Sequence, residues 1–258
     1  MKDEHRRNLI KLIRQVGRTM GLWEAFRDFL QMSALTISNA DTYFLATNKK
    51  IWDEREKEYL ETIKRYSKED QQLFPKMLAE LVLTLDDCVR EGHYEDVLGS
   101  IFHELELHSK WAGQFFTPQS ISDMMGEVVV TDDDKKASVK SAIETHGFCS
   151  MNEPACGSGS LILGFLNAFR KRGFEPSRQC LVVASDIDEK CVWMTYLQCS
   201  LYGIPAIVYQ QNTLSLETYG DPWYSPVYGL EGWRWKRQKA FEIDLREQEY
   251  QEFLEILG

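Results

Sequence analysis

The sequence lacks the features that mark several large classes of protein. It contains no apolar run that approaches the roughly 20 residues of a membrane-spanning helix. Its first residues, MKDEHRRNLIKLIRQVG, have no long apolar core and so do not resemble a secretory signal peptide. The sequence therefore predicts a cytoplasmic protein without a membrane partner.

Cysteine and histidine are present, but not at the spacings of a metal site. None of the six cysteines forms a C-x-x-C pair, and the five histidines are scattered along the chain. We therefore predict no metal site. The cysteines are expected to be reduced and buried, as is usual in cytosolic proteins.

Positive charge is scarce relative to negative charge, and the formal net charge is −10. Domains that bind DNA on their own are usually basic, because neutralisation of phosphates dominates their affinity. The charge argues against tight DNA binding by the chain alone. It leaves room for a local basic face, or for a partner that supplies the positive charge.

Glycine and proline are also sparse until Gly92, and the apolar residues of this first part recur at helical spacing. The segment WEAFRDFLQMSALTI, residues 23–37, shows the pattern clearly. Comparable segments continue toward residue 105. We predict a helical N-terminal domain over residues 1–108.

After residue 110 the pattern changes to short apolar strands that alternate with helices. The polar segment TDDDKKASVKSA, residues 131–142, is expected to be a loop. Strands are predicted around 148–152, within QCLVVASDID and at AIVYQQ, with a helix after each of the first two. Such alternation predicts an α/β fold with a parallel sheet and right-handed crossovers.

The stretch MNEPACGSGSLILGF, residues 151–165, places two glycines between a predicted strand and a helix. Gly157 and Gly159 would allow a ligand to approach the backbone closely. The phosphate-loop motif is absent, and the dinucleotide motif G-x-G-x-x-G fails at Ile162. The loop therefore predicts a nucleoside ligand of a different kind.

Polar side chains follow the three predicted strands. Glu153 would repel a pyrophosphate but suits the ammonium group of S-adenosylmethionine. Asp186 follows the second strand, where an acid is the expected acceptor for ribose hydroxyls, and Asn212 follows the third, where it could bond the adenine edge. A simpler alternative is that Asp186 and Asp188 only begin a helix.

Two motifs in this order resemble those of adenine-N6 DNA methyltransferases, especially the methylation subunit of type I restriction–modification systems. EPACGSGSL, residues 153–161, resembles the nucleotide-binding motif of that family, and GQFFTP, residues 113–118, resembles its second cofactor motif. The resemblance covers residues 95–215 well, and it extends in style to the helical region before them.

The resemblance implies a Rossmann-like S-adenosylmethionine-dependent methyltransferase fold with a truncated parallel sheet, preceded by the helical N-terminal domain. The methyltransferase-like domain would span residues 109–232, and a C-terminal helix residues 233–258. By position in the motifs, the implied cofactor-binding residues are Phe116, Thr117, Pro118, Glu153, Ala155, Gly157, Gly159, Asp186 and Asn212.

The family's catalytic motif, [DNS]-P-P-[YFW], has an imperfect counterpart in DPWY. The resemblance implies that Asp221 and Pro222 would hold the adenine amine and that Tyr224 would stack on a flipped base. Trp223 replaces the second proline, and the preceding SLETYG is not an apolar strand that would fix the motif at a sheet edge. An aromatic surface loop or packing turn is the alternative interpretation.

Only 34 residues follow Tyr224, whereas the family's sheet continues for several more strands. We therefore expect the target-base half of the domain to be missing or supplied by another chain. Within the final region, WRWKRQK, residues 233–239, mixes basic and aromatic residues that could hold a nucleic-acid strand. Alternatively, it is a solvated helix start whose tryptophans pack on the core.

Together these patterns predict an S-adenosylmethionine-binding, DNA adenine-N6 methyltransferase-like protein of a restriction–modification system. Its expected partners are DNA and a partner protein subunit. One alternative is a non-catalytic interaction or regulatory protein that retains the cofactor fold and associates with a methylation or specificity subunit. Another is a methyltransferase that acts on protein or RNA.

Overall fold

The computed structural model describes residues 2–40, 47–107, 116–131 and 133–257, with side chains for all of these except 2, 131, 133–138 and 247–257. Residues 113–115 of the predicted second cofactor motif lie outside the described residues, as does the predicted domain boundary at 108–109. That boundary and the one at 232 stay predictions.

The part of the chain before residue 107 is helical in its described ranges. The helices are α1 (Lys2–Met20), α2 (Leu22–Ala40), α3 (Lys49–Ile63), α4 (Lys68–Gln71), α5 (Leu73–Arg90) and α6 (Val97–Glu104). The long helices α1, α2 and α5 pack together through their apolar faces. The predicted helical N-terminal region is confirmed.

Two further helices, α7 (Gln119–Thr131) and α8 (Asp133–His146), precede the sheet. The expectation of a loop over residues 131–142 was therefore wrong. Val139, Ala142 and Ile143 stand three and one positions apart, which places them on one helical face, and they pack against the hydrophobic core. The run of charged residues from 132 to 136, just before this face, obscured it in the sequence.

A parallel sheet forms the centre of the second part of the chain. Its strands are β1 (Cys149–Glu153), β2 (Cys180–Asp186) and β3 (Ala206–Asn212); α9 (Ser160–Lys171) and α10 (Pro176–Gln179) connect the first two, and α11 (Glu189–Leu201) the last two. The strands pair in the order β1–β2–β3, with Glu153 opposite Ala184 and Ala184 opposite Val208. Their carboxyl ends therefore meet at one edge, and the predicted α/β fold with a parallel sheet is confirmed.

Two short strands, β4 (Glu217–Thr218) and β5 (Trp223–Tyr224), pair antiparallel with β3. The expectation that nothing fixes DPWY at a sheet edge was wrong, since Trp223 lies opposite Val208 and Tyr224 opposite Ile207. A strand of two residues carries no alternating pattern, which explains why the sequence did not indicate it.

Helices cover both faces of the sheet. On one face, α9, α11 and the N-terminal helices share a single hydrophobic cluster with the strands. The other face is covered by α12 (Pro226–Leu230) and α13 (Trp233–Leu257), through Phe148, Leu181, Ile207, Tyr228, Trp233 and Ala240. In the described ranges every helix is too short or too polar to span a lipid bilayer.

Candidate functional site

The loop between β1 and α9 bends at two glycines. Gly157 (φ +54°) and Gly159 (φ +96°) adopt the left-handed conformation, which costs residues with a side chain about 1–2 kcal/mol. A Cβ atom at Gly157 would lie 3.2 Å from the ring of Phe116, and one at Gly159 would lie 3.1 Å from Thr195 Oγ1. Backbone conformation and crowding both favour glycine at these two positions.

Asp186, at the end of β2, binds this loop. Its Oδ2 accepts a hydrogen bond from the Gly157 N–H at 2.9 Å, and its Oδ1 accepts one from the Asp188 N–H at 2.9 Å. Burial raises the pKa of Asp186. Asp188 instead caps α11 by accepting from the Lys190 N–H at 3.0 Å. The two aspartates therefore have different roles, and Asp186 is the one at the loop.

Glu153, at the end of β1, lies on the same side of the sheet. Its Oε1 accepts a hydrogen bond from the Ala155 N–H at 3.2 Å. The pKa of the Cys156 thiol is raised, mainly by burial and further by the nearby carboxylates of Asp186 and Glu153. Glu153 and Asp186 therefore converge on the glycine loop from two neighbouring strands.

Phe116 covers the loop from the side of the N-terminal helices. Its ring is buried, lies against Gly157 and packs edge-on against Phe102 at a centroid distance of 4.9 Å. Thr117 is half-buried and Pro118 is exposed, and both directly precede α7. The chain before α7 thus reaches the same loop as Asp186.

Asn212, at the end of β3, is partly engaged within the chain. Its Oδ1 accepts from the N–H groups of Leu214 and Ser215 at 3.1 and 3.3 Å, which closes a turn. The neighbouring Thr213 hydroxyl donates to the Pro154 carbonyl and so joins the ends of β3 and β1. The side-chain oxygen of Asn212 is therefore occupied by backbone donors of this turn.

The DPWY segment lies beside β3, on the far side of the strand order from β1. Trp223 is buried, and its ring centroid lies 5.1 Å from that of Tyr196. The Arg55 guanidinium stacks on the Trp223 ring, 3.9 Å from its centroid. Because β2 and β3 lie between β1 and β5, DPWY is about 14 Å from Glu153 at the usual strand spacing. Asp221 is exposed, and the structure does not bring it beside the glycine loop. The catalytic assignment of Asp221, Pro222 and Tyr224 stays a prediction.

Several residues at the loop were missed in the sequence. Ile187 directly follows Asp186 and is 60% exposed, which is unusual for isoleucine. Thr195 and Gln198 are almost fully buried on α11, and both bind the loop backbone. Two polar residues one turn apart in the otherwise apolar stretch 191–199 of this helix were the available signal.

The described residues contain no group of three or more histidine, cysteine, aspartate or glutamate side chains that could hold a metal ion. In the same residues, all six cysteines are buried and unbridged. The expectation of buried, reduced thiols is confirmed for this structure.

The parallel sheet, the glycine loop and the carboxylates at its strand ends define a Rossmann-like α/β domain. The chain belongs to the N-6 DNA Methylase family, whose sequence model matches residues 93–230, more than half of the chain. Members of this family generally use S-adenosylmethionine.

Among solved structures, the chain is similar to the methyltransferase subunit of a type I restriction-modification system from Streptococcus thermophilus. The two share 16% sequence identity with a TM-score of 0.41, over 82% of this chain. The chain spans 58% of the length of that subunit. No curated protein matches the sequence.

Proposed function

We propose that this chain binds S-adenosylmethionine at the carboxyl ends of β1, β2 and β3, and that it serves adenine-N6 methylation of DNA in a restriction–modification system. The observation that carries the proposal is the bond from the Gly157 N–H to Asp186, with Glu153 on the neighbouring strand end. Open parallel sheets bind their ligands in the crevice at this edge.

The residues at the ends of β2 and β3 suit a nucleoside. A carboxylate offers about four acceptor sites. In Asp186 the Gly157 N–H occupies one site on Oδ2, and the Asp188 N–H occupies one site on Oδ1. The remaining sites suit the two ribose hydroxyls. Exposed Ile187 offers an apolar surface for adenine, and the amide nitrogen of Asn212 can donate to a ring nitrogen.

The residues around β1 suit the methionine part of the cofactor. Glu153 would attract the ammonium group, while Ala155, Gly157 and Gly159 keep the loop free of bulk. Phe116 would face the sulfonium end together with Thr117 and Pro118, which follow it. The donors, acceptors and small residues present therefore fit S-adenosylmethionine.

Isothermal titration calorimetry of the full chain tests this site. We expect saturable binding of S-adenosylmethionine at one site. NAD and ATP are the control ligands, and we expect neither to bind, because their phosphates would face Glu153 and they carry no ammonium group. No heat with S-adenosylmethionine, or equal binding of NAD, would contradict the proposal.

For methyl transfer, bound S-adenosylmethionine would supply an electrophilic methyl group. We assign to Asp221 and to the Pro222 carbonyl the task of accepting hydrogen bonds from the two N–H groups of the adenine amine, and to Tyr224 that of stacking on the base. The Pro222 carbonyl already accepts from Arg55 Nη2 at 3.3 Å, and two strands separate the motif from Glu153. We therefore propose that transfer requires a partner chain.

The surface beside β1 is suited to such a partner. Within the described residues, β1 pairs only with β2, and a groove of about 460 Å³ is lined by β1 and by helices α7, α8 and α9. Helix α7 borders the groove and exposes an apolar stripe at helical spacing, formed by Ile121, Met124, Met125, Val128 and Val129. Unpaired backbone groups at a strand edge accept an extended strand from another chain, so we propose a partner subunit that adds a strand to β1.

The start of α13 is the surface that we propose for DNA. Trp233 is fully buried and packs on Phe148, whereas Trp235 is 67% exposed beside exposed Arg234 and Arg237. One tryptophan therefore belongs to the core, and the other can stack on a base. Basic residues that neighbour an exposed aromatic ring are typical of single-strand contacts.

A tritiated-methyl assay on adenine-containing duplex DNA tests the partner. We expect no transfer by the chain alone, and transfer after addition of the methylation or specificity subunit encoded in the same genome. Val128→Lys, in the apolar stripe, should reduce both complex formation and transfer by about tenfold or more, because a lysine cannot be buried unpaired. Leu230→Lys, at a position on α12 that is 76% exposed against 63% for Val128, should change neither.

Two outcomes of this assay have distinct meanings. Transfer by the chain alone would contradict the need for a partner. Complex formation without transfer under any condition would favour the second candidate function, a non-catalytic protein that retains the cofactor fold and regulates a methylation subunit. The exposed stripe on α7 is the observation that favours this second candidate.

A further inference from the structure

A fully buried carboxylate lies where the N-terminal helices meet the glycine loop. Asp96 caps α6 by accepting from the Gly99 N–H at 2.8 Å, and its side chain is buried. Burial raises the pKa of Asp96. Carboxylates are rarely buried to this extent unless several donors surround them, so the remaining donors indicate what Asp96 does.

Those donors come from the loop and from α11. The Ser158 hydroxyl donates to Asp96 Oδ2, and Gln198 Nε2 donates to Asp96 Oδ1 at 2.9 Å. Gln198 Nε2 also donates to the Ser158 carbonyl at 2.7 Å. The side-chain hydroxyl and the backbone carbonyl of Ser158 are therefore both hydrogen-bonded to residues that lie outside the loop.

The opposite end of Gln198 closes the network. Its Oε1 accepts from the Val97 N–H at 2.9 Å, so Gln198 bridges the first turn of α6 and the loop. The approach is close, since a Cβ atom at Gly99 would lie 2.7 Å from Ser158 Oγ. A glycine in α6 thus makes room for the loop.

We infer that Asp96, Gln198 and Ser158 form a positioning network that sets the shape of the cofactor loop. Ser158 stands between Gly157 and Gly159, two residues that could adopt many other conformations. Tethering Ser158 at both ends would hold the Gly157 N–H against Asp186 before the cofactor arrives. This inference rests on the proposed function, because it assigns a role in binding S-adenosylmethionine to residues that do not contact it.

The variant Ser158→Ala tests the network with little change in volume. We expect its dissociation constant for S-adenosylmethionine to rise about tenfold, the effect of losing a hydrogen bond to a charged group. Ser225→Ala is a matched control. Ser225 is also fully buried, and its hydroxyl bonds the Ala206 N–H and the Ile204 carbonyl, each at 2.8 Å.

Both variants should lose similar stability to urea, but only Ser158→Ala should bind the cofactor more weakly. Hydrogen exchange provides a second measurement that does not depend on the ligand. We expect backbone amides of residues 155–160 to exchange about tenfold faster in Ser158→Ala than in wild type, with no change there in Ser225→Ala.

The outcomes separate the two claims. If wild type does not bind S-adenosylmethionine but the loop amides exchange faster in Ser158→Ala, the proposed function fails and the tethering of the loop stands. If wild type binds and Ser158→Ala matches it in affinity and exchange, the network is refuted and the proposed function stands. Gln198→Met, which keeps the length of the side chain but removes its amide, should behave like Ser158→Ala.

Discussion

Asp186→Asn is expected to weaken S-adenosylmethionine binding about 100-fold, which corresponds to about 2.7 kcal/mol. The carboxylate accepts from the N–H groups of both Gly157 and Asp188. An asparagine has a single acceptor oxygen, so its amide NH₂ would face one of these donors. The substitution would disturb the glycine loop and also remove a charge-assisted acceptor for the ribose hydroxyls.

Asp188→Asn provides the control for this prediction. Asparagine caps helices as well as aspartate does, so α11 should keep its start. We expect the affinity of Asp188→Asn to stay within about threefold of wild type. Calorimetry on both variants measures the difference, with circular dichroism to verify the fold. Equal losses in the two variants would show that Asp186 has no special position at the site.

The glycine loop and its carboxylates could be predicted because short local patterns specify them. Gly157 and Gly159 stand between an apolar strand and an apolar helix, and Asp186 ends the next apolar run. A parallel sheet then brings the strand ends to one edge whatever the details of packing. Local sequence patterns were therefore enough to predict that the glycine loop and the carboxylates lie at the same end of the sheet.

The contacts that hold the loop could not be predicted, because they join distant parts of the chain. Asp96 and Gln198 are 102 residues apart and meet only through the packing of α6 against α11. A single polar residue in a helix has many possible partners, and the sequence does not say which one it meets. Both residues were therefore left out of the predicted site.

The position of DPWY illustrates the same limit at the level of topology. The sequence shows that DPWY resembles a catalytic motif, but it does not show which strand of the sheet the motif lies beside. Pairing of Trp223 with Val208 places it on the outer side of β3, with two strands between it and β1. Composition thus identified DPWY as a candidate catalytic motif, whereas the strand order determines which residues the motif can contact.

Two helices pack closely against each other just after the predicted second cofactor motif. Helix α7, which begins just after Pro118, packs against α9, which begins just after Gly159. A Cβ atom at Gly164 would lie 2.2 Å from the Ser122 carbonyl oxygen, and one at Gly126 would lie 2.3 Å from the Gly164 carbonyl oxygen. These atoms belong to the backbone, so no side chain can move aside.

Gly164→Ala is therefore expected to destabilise the protein by about 3 kcal/mol, because the two helices must separate to admit one methyl group. The sign is informative. In a helix interior with free space, alanine is more favourable than glycine by about 1 kcal/mol. Urea unfolding at equilibrium measures the change in the free energy of unfolding, provided that the slope with denaturant is unchanged.

Gly173→Ala, two residues beyond the end of α9, separates crowding from backbone strain. Gly173 has φ +83°, and nothing lies within 4 Å of its Cβ position, so only the conformational cost of about 1 kcal/mol should remain. A loss at Gly164 no larger than that at Gly173 would mean that α7 can move away from α9 at little cost. In that case the packing of α7 on α9 would not fix the position of Thr117 and Pro118, which directly precede α7.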